Sequence, residues 1–172
     1  DANFDNMKGF AMANGFDQVL DWNDGFLANK NDGTMWGKFD HIMFDKLLDV
    51  ADEKGDTPFM INFFTTTNHD PFRVPKSYES RIPQFETGKE KYIRAKRTMA
   101  YDDIVLSEFF EDAKLHDWYD NTIFIITADH GLNVHRNIPN HPLNGHIPFI
   151  IYSPMIDSPI ASDKIVSQID IL

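Results

Sequence analysis

The chain contains three continuous apolar runs, which predict buried β-strands. They are rich in β-branched and aromatic residues and cover residues 58–64, 121–127 and 147–152. Pro148 falls near the start of the third run, where a strand tolerates proline. Unbroken rather than alternating apolarity is typical of strands covered on both faces, so these runs favour a parallel sheet between helices.

Two longer stretches carry apolar residues at helical spacing. The first predicts a helix over about 38–54 and holds four residues spaced by four, four and three: Phe39, Met43, Leu47 and Val50. The second predicts a helix from 89 to about 115, with an inner side formed by Ile93, Ala100, Ile104, Phe109 and Leu115. Residues 163–172 resemble the approach to a further helix. The alternation predicts an α/β fold, with a mostly parallel sheet sandwiched between helices.

Composition narrows the possible classes of protein. With 172 residues, 42% of them hydrophobic, the chain can bury a core as one domain. The absence of cysteine excludes a disulfide scaffold, a thiolate nucleophile and a cysteine zinc site. A net charge of −11 argues against general nucleic-acid binding. No run of uncharged apolar residues is long enough for a transmembrane helix.

Charge is uneven along the chain. Residues 1–60 and 101–172 are acidic, whereas residues 73–100 carry 8 bases and 3 acids. The basic stretch could meet an anionic substrate or a membrane surface. The alternative is an ordinary solvated loop and helix face.

A polar loop directly follows the first predicted strand. It runs from Thr65 to Phe72 and contains His69. Ligands of open α/β sheets bind outside the carboxyl ends of strands, and a histidine there can donate to an anionic oxygen or transfer a proton. The alternative is a histidine that is only a polar loop residue.

An acid and a histidine follow the second predicted strand. Asp129 and His130 offer a carboxylate oxygen and an imidazole nitrogen to one divalent cation, and Gly131 permits a sharp turn. The alternative is a capping aspartate beside a surface histidine.

Histidines are concentrated in the following loop. Four of the seven lie within 17 residues: His130, His135, His141 and His146. None of them has the close spacing of a structural zinc site, so a metal or phosphate-ester site is the hypothesis. His146 is preferred to His135 and His141 because the third predicted strand positions it.

Motifs in a recurring order carry a family resemblance. The segments that match, in chain order, are Asn14-Gly15-Phe16-Asp17, Trp36-Gly37 with Asp40 and Phe44-Asp45, Thr67-Asn68-His69-Asp70-Pro71-Phe72, Tyr101-Asp102-Asp103, Asp120-Asn121-Thr122 through Asp129-His130-Gly131, His146-Ile147-Pro148-Phe149 and Ser167-Gln168-Ile169-Asp170-Ile171-Leu172. Together they resemble the sulfatase branch of the alkaline phosphatase superfamily, and in particular its lipoteichoic acid synthase and phosphoglycerol transferase group.

The resemblance implies a fold and a site. It implies an alkaline-phosphatase-like α/β domain in which Asp129 and His130 are ligands of a divalent cation, Mn, Mg or Ca. His69 would hold the phosphate or sulfate, or help the leaving group, and His146 is a further candidate for a similar role. The cation would polarise the ester and stabilise the charge that develops in transfer.

The nucleophile of the family, a threonine or a formylglycine, is not assigned in this chain. Thr65, Thr66 and Thr67 lie in the wrong motif, and residues 1–7 lack the arginine of the family's early substrate loop. We therefore expect residues 1–172 to be the C-terminal part of a single catalytic domain, truncated at both ends. We also expect negligible turnover by the chain alone, although the intact protein would be an enzyme.

Three functions remain as hypotheses. The first is a metal-dependent phosphotransferase or phosphodiesterase that acts on a lipid head group or a similar ester. The second is a true sulfatase, which a Cys- or Ser-x-Pro-x-Arg segment upstream would select. The third is a non-catalytic binding domain with a degenerate site. The resemblance further implies a location on the extracytoplasmic face of the cytoplasmic membrane, with a membrane tether upstream.

Overall fold

The computed structural model describes residues 2–21, 32–131 and 145–171. The chain divides into two compact units, Asp1–His116 and Asp117–Leu172. Each unit has its own elements and is described by itself.

The first unit is helical in its described part. Helix α1 spans Met7–Ala13 and α2 spans Asp40–Asp52. Helix α2 begins after the extended residue Phe39 and has an acid in its first turn, where the helix dipole favours negative charge. It ends in a turn that reaches Gly55, whose φ of +53° suits a residue without a Cβ.

The core of the first unit lies along helix α3, which spans Glu90–Ala113. The buried residues of α3 recur every three or four positions, which places them on one face: Ala95, Thr98, Tyr101, Val105, Phe109 and Ala113. Tyr101 and Val105 pack with Val74 and Ile82, and Phe44 of α2 packs against this cluster. Helices α2 and α3 therefore pack against the same hydrophobic cluster.

The second unit contains a two-stranded antiparallel sheet in its described part. Strand β1 spans Phe124–Thr127 and β2 spans Phe149–Tyr152. Their register pairs Phe124 with Tyr152 and Thr127 with Phe149. Short 3-10 turns at Tyr119–Asn121 and Gln168–Ile171 complete the unit.

The structure corrects the strand predictions in three respects. Residues 58–64 are not a strand and form no sheet ladder with any other described residue. The two observed strands are antiparallel, an orientation that a mostly parallel sheet can include but that the apolar runs did not indicate. All four residues of β2 are exposed, so neither face of it is covered here. Strand pairing joins distant segments, and an apolar run alone does not identify its partner.

The helix predictions are close to the observed bounds, with two corrections. Leu115 is 83% exposed, because α3 ends at Ala113 and Leu115 lies in the turn that follows. Residues 163–171 form only the 3-10 turn at Gln168–Ile171.

Candidate functional site

His69 lies on an exposed turn that its neighbours hold by contacts to the backbone. The Trp36 indole donates from Nε1 to the carbonyl oxygen of Asp70 at 2.7 Å. The same indole lies against the His69 ring, with ring centroids 4.2 Å apart. The backbone amide of Phe72 closes the turn by donating to the His69 carbonyl at 2.7 Å. The imidazole of His69 is therefore oriented while it remains exposed to solvent.

The backbone before His69 is bound to the first turn of α2. The carboxylate of Asp40 accepts from the amide of Thr66 at 2.8 Å and from the amide of Thr67 at 3.2 Å. In return, the Thr67 hydroxyl accepts from the amide of Asp40 at 3.1 Å. Asp40 and Thr67 are both 0% exposed, so these bonds are shielded from water.

The close approach of two segments leaves little room for a side chain at position 37. A Cβ added to Gly37 would lie 3.2 Å from the side chain of Thr66. The Thr66 hydroxyl uses this proximity to donate to the carbonyl of Lys38 at 2.9 Å. The Trp36-Gly37 segment therefore packs directly against the backbone that leads to His69.

Helix α3 provides a second support for the same turn. The hydroxyl of Thr98, which is fully buried, donates to the Asn68 side-chain oxygen at 2.8 Å. Lys91 forms an ion pair of 3.4 Å with Asp70. The residues on both sides of His69 are thus attached to α3.

Two carboxyl groups beneath this turn have shifted pKa values. Burial raises the pKa of Asp40, against the lowering effect of its hydrogen bonds from Thr66 and Thr67. Burial and the neighbouring Asp40 charge raise the pKa of Asp102 to about 9. The raised pKa means that Asp102 favours its neutral form beside the Asp40 carboxylate.

Asp129 and His130 lie just beyond the end of β1, with side chains directed to solvent. Each side chain is 70% exposed, and Asp129 Oδ2 is 3.5 Å from His130 Nε2. The other carboxylate oxygen of Asp129 accepts from the His130 amide at 2.7 Å. The carboxylate and the imidazole thus face the same small volume.

Gln168 fixes the backbone at this pair. Its side-chain amide donates to the carbonyl of Ala128 at 2.8 Å and to the carbonyl of Asp129 at 3.0 Å. These two bonds join the 3-10 turn at Gln168–Ile171 to the end of β1, so they restrain the backbone from which both side chains project.

The remaining candidate histidines differ in what the structure describes. His146 is exposed, and two residues separate it from the start of β2. His135 and His141 lie outside the described residues.

The donor set at Asp129 and His130 fits a divalent cation. A carboxylate oxygen and a neutral imidazole nitrogen are ligands that such cations accept, at about 2.1 Å. The 3.5 Å between them is within reach of a single ion. Two protein ligands are fewer than the roughly four to six that these cations bind. In the part of the chain that the structure describes, no group of three or more such side chains could hold a metal ion.

A cavity of about 430 Å³ between α2 and α3 does not coincide with these residues. His41, Tyr78 and Glu108 line it, with Phe44 and Phe109 among the apolar side chains. His69 is not among the lining residues, so we assign the cavity no role in phosphate chemistry.

Half of the eight bases in residues 73–100 are used in ion pairs. The four that pair with carboxylates are Arg81, Lys91, Arg94 and Arg97. This favours a solvated, internally paired surface, because a paired guanidinium or ammonium group is less available to an anionic partner.

The fold matches that of one class of protein, the alkaline phosphatase superfamily. The structure matches that of a protein of this superfamily from Vibrio parahaemolyticus with a TM-score of 0.71 and 33% identity, over 91% of this chain and 37% of that one. It also matches the lipoteichoic acid synthase LtaP from Listeria monocytogenes with a TM-score of 0.76 and 20% identity, over 92% of this chain and 42% of the other. The second likeness shows the fold alone. The predicted fold class is confirmed.

Within that class, the chain belongs to the sulfatase family, whose profile matches residues 1–172. It is 26% identical to the lipoteichoic acid synthase-like protein YvgJ of Bacillus subtilis, over 83% of this chain. It is 32% identical to the lipoteichoic acid synthase of Staphylococcus aureus (strain USA300), over 49% of this chain. The matches span only 25% and 13% of those two relatives. The resemblance to this group is confirmed.

The sequence analysis missed the residues that support the site. Asp40 and Asp102 fell within matching motifs but received no role, and Thr98 and Gln168 were not considered as partners of the site. The bonds of Asp40, Thr98 and Gln168 join residues 26 to 40 positions apart, so no local pattern reveals them. One signal in the sequence could have revealed Asp40, because this acid directly follows an aromatic residue at the start of a predicted helix.

Proposed function

We propose that the chain belongs to a metal-dependent enzyme that cleaves or transfers a phosphate ester, of the phosphoglycerol transferase or phosphodiesterase type. Membership of the sulfatase family and relatives named lipoteichoic acid synthases support this class. The observation that carries the proposal is the exposed Asp129–His130 pair at the end of β1, with its carboxylate and imidazole 3.5 Å apart.

The residues have distinct roles in this proposal. Asp129 and His130 are two ligands of a divalent cation, Mn, Mg or Ca, with His130 binding as the neutral imidazole. When bound, such a cation polarises the ester and stabilises the charge that develops in transfer. His69 donates to a non-bridging oxygen of the phosphate or protonates the leaving group. His146 is a further candidate for phosphate contact.

The wider protein is part of the same proposal. We propose that residues 1–172 form the C-terminal part of a larger catalytic domain on the extracytoplasmic face of the membrane, with a membrane tether upstream. The small share of each relative that the chain spans supports this view. None of the helices in residues 2–21, 32–131 and 145–171 has the length and hydropathy of a membrane span. No residue here is assigned as nucleophile, so we expect little turnover from the chain alone.

Metal binding is tested directly on the 172-residue chain. Mn²⁺ is titrated into the ¹⁵N-labelled chain, and paramagnetic broadening of amide signals is followed. We expect the signals of Ala128 to Gly131 to broaden first, and Asp129→Asn to weaken binding about tenfold or more, because it replaces a charged ligand by a neutral amide.

His116→Gln is the matched control. His116 also faces a carboxylate, with its Nδ1 2.7 Å from Asp52 Oδ1, but it does not follow a strand. This variant should leave Mn²⁺ broadening at Asp129 unchanged. Equal broadening over all acidic surfaces, or unchanged binding in Asp129→Asn, would reject the metal site.

Substrate class is decided by a second assay. The chain, and any longer polypeptide that contains it, is incubated with Mn²⁺ and either bis-p-nitrophenyl phosphate or p-nitrophenyl sulfate. Turnover of the phosphodiester by the longer polypeptide supports the proposal. Turnover of the sulfate ester alone selects a true sulfatase, and turnover of neither ester favours a binding domain.

A further inference from the structure

We propose that Asp40 and Asp102 form a carboxyl pair that shares one proton and positions the Thr66–His69 segment, and that loss of this proton releases the segment. The pair connects three parts of the first unit. Asp40 lies at the start of α2, Asp102 lies in the middle of α3, and Thr66 and Thr67 donate to the Asp40 carboxylate.

The hydrogen-bond pattern requires one charged and one neutral carboxyl group. Asp40 accepts from two backbone amides, which is the pattern of an ionised carboxylate. Asp102 Oδ1 is buried, and no N–H or hydroxyl donor within the described ranges bonds to it. An ionised carboxylate in that position would be costly, whereas a neutral acid can donate its own proton to Asp40.

Among the residues that the structure describes, no cation takes the place of the shared proton. The titratable groups that face the pair are His41 on α2 and Tyr101 on α3. Burial lowers the pKa of His41 and raises the pKa of Tyr101, so both groups favour their neutral forms. The segment at Thr66 and Thr67 adds only hydroxyl and amide groups.

The direction of the pH effect follows from the raised pKa of Asp102. The folded chain keeps a proton that the unfolded chain releases above the ordinary value of 3.8. The stabilising contribution is therefore complete below that value and declines as pH rises, until it is lost at about 9. Above that pH two buried negative charges repel each other, and this repulsion displaces the Asp40 carboxylate from its position against Thr66 and Thr67.

The consequence for phosphate binding rests on the proposed function, but the positioning of the segment does not. Asn68 and His69 directly follow the two threonines that Asp40 holds. A released segment would let the His69 ring leave its place against Trp36. The pair would thus make the proposed phosphate-binding histidine sensitive to alkaline pH. Asp40 and Asp102 are positioning residues in this scheme.

NMR titration of the unmodified chain tests the pair without any assay of activity. The side-chain carboxyl carbon of Asp102 and the backbone amides of Thr66 and Thr67 are followed from about pH 3 to about pH 10. We expect Asp102 to titrate near 9, and both amides to shift with the same midpoint. A midpoint near the ordinary 3.8, or amides that do not follow Asp102, would overturn the proposal.

Two variants sharpen the test. Asp102→Asn keeps a neutral donor of nearly the same shape, so it should fold, preserve the amide positions of Thr66 and Thr67 at neutral pH, and abolish their alkaline inflection. Asp40→Asn removes the neighbouring charge, so Asp102 should titrate lower by about one pH unit or more. An Asp102→Asn chain that does not fold would contradict a neutral Asp102.

Asp103→Asn is the matched control. It removes the same formal charge at the adjacent position, where the side chain is exposed. This variant should retain the inflection. An inflection lost equally in Asp103→Asn and Asp102→Asn would reveal a general charge effect and overturn the pair. Since every readout concerns the segment itself, absence of phosphodiester turnover would reject the proposed function alone.

Discussion

At the residue scale, the proposed site residues are positioned mainly through backbone atoms. The carbonyl of His69 accepts from Phe72, and the carbonyl of Asp129 accepts from Gln168. This leaves the Asp129 carboxylate and the His130 imidazole 70% exposed. Backbone hydrogen bonds of this kind fix the direction in which a metal-binding side chain projects. They do not involve the metal-binding atoms of that side chain.

Gln168→Leu tests this view of the metal pair. The variant keeps the approximate size of the side chain but removes both donations to the backbone at Ala128 and Asp129. Outer-shell partners of metal ligands typically contribute about 10- to 100-fold in affinity. We expect Mn²⁺ affinity, measured by the same broadening titration, to fall within that range.

Ser162→Ala is the control for Gln168→Leu. The Ser162 hydroxyl accepts only a local bond from the Lys164 amide at 3.3 Å, in the same exposed tail. Its loss should leave Mn²⁺ affinity unchanged. If Gln168→Leu binds Mn²⁺ like the unmodified chain, the turn at Gln168–Ile171 has no part in positioning Asp129.

Single residues were proposed from short motifs where the chemistry is local, and their roles stay predictions. Asp129 and His130 are adjacent, and both follow a predicted strand that the structure contains, so a short motif was enough to propose them. His69 was proposed because it follows a predicted strand, but that segment is not a strand, and its role stays a prediction. The supports Asp40, Thr98 and Gln168 act over long sequence separations and could not be found in the same way.

At the element scale, one hydroxyl group forms two hydrogen bonds between the two main helices. The Tyr101 hydroxyl accepts from the His41 amide at 3.0 Å and bonds to the His41 ring at 2.8 Å. Tyr101 is 0% exposed, and the His41 amide belongs to the first turn of α2, where helical amides have no intrahelical partner. The helix start is thus completed by its neighbour.

Tyr101→Phe should therefore destabilise the first unit. It leaves a partly buried amide of α2 without its acceptor, at a cost of about 1–3 kcal/mol in the free energy of unfolding. Urea denaturation followed by circular dichroism measures this change. Tyr78→Phe is the comparison, because the half-buried Tyr78 hydroxyl donates to the more exposed Glu108. An equal effect of both variants would argue against the special role of Tyr101.

Elements that are stabilised by local interactions were predicted more accurately than elements that depend on distant segments. The helices predicted at 38–54 and 89–115 are found at Asp40–Asp52 and Glu90–Ala113. The buried face of α3 was placed incompletely because it includes the polar residues Thr98 and Tyr101. The strand at 58–64 was predicted from apolarity alone, which does not specify a pairing partner.

At the scale of the whole molecule, the second unit exposes much of its apolar surface. Ile150 and Ile151 of β2 are 51% and 52% exposed, and Ile165 is 100% exposed. Two-stranded sheets without a covered face are marginally stable in water. The first unit instead buries aromatic and aliphatic side chains along α3. The two units should therefore differ in local stability.

Native-state hydrogen exchange measures this difference. We expect amides in the β1–β2 ladder to exchange on the order of 100-fold faster than those at Tyr101 and Val105, after correction for intrinsic rates. Ladder amides protected as strongly as those of α3 would show that the exposed sheet is stabilised by contacts other than those described for its own unit.

The family could be predicted from the sequence because its motifs recur in a fixed order along the whole chain. The catalytic cycle could not, since the chain spans only 25% of YvgJ and 37% of the Vibrio parahaemolyticus protein. A nucleophile and further metal ligands would come from segments that the fold brings together in space, so motif order alone does not identify them. The two ligands proposed here are only part of such a set.

The contact between Trp36 and His69 gives the turn a built-in optical signal. An indole in contact with an imidazole loses fluorescence when the imidazole becomes positively charged, because the cation accepts an excited-state electron. Binding of an anion beside the two rings should therefore change the emission of Trp36. Trp36, which lies against the proposed phosphate-binding histidine, would thus report binding at this turn by its emission.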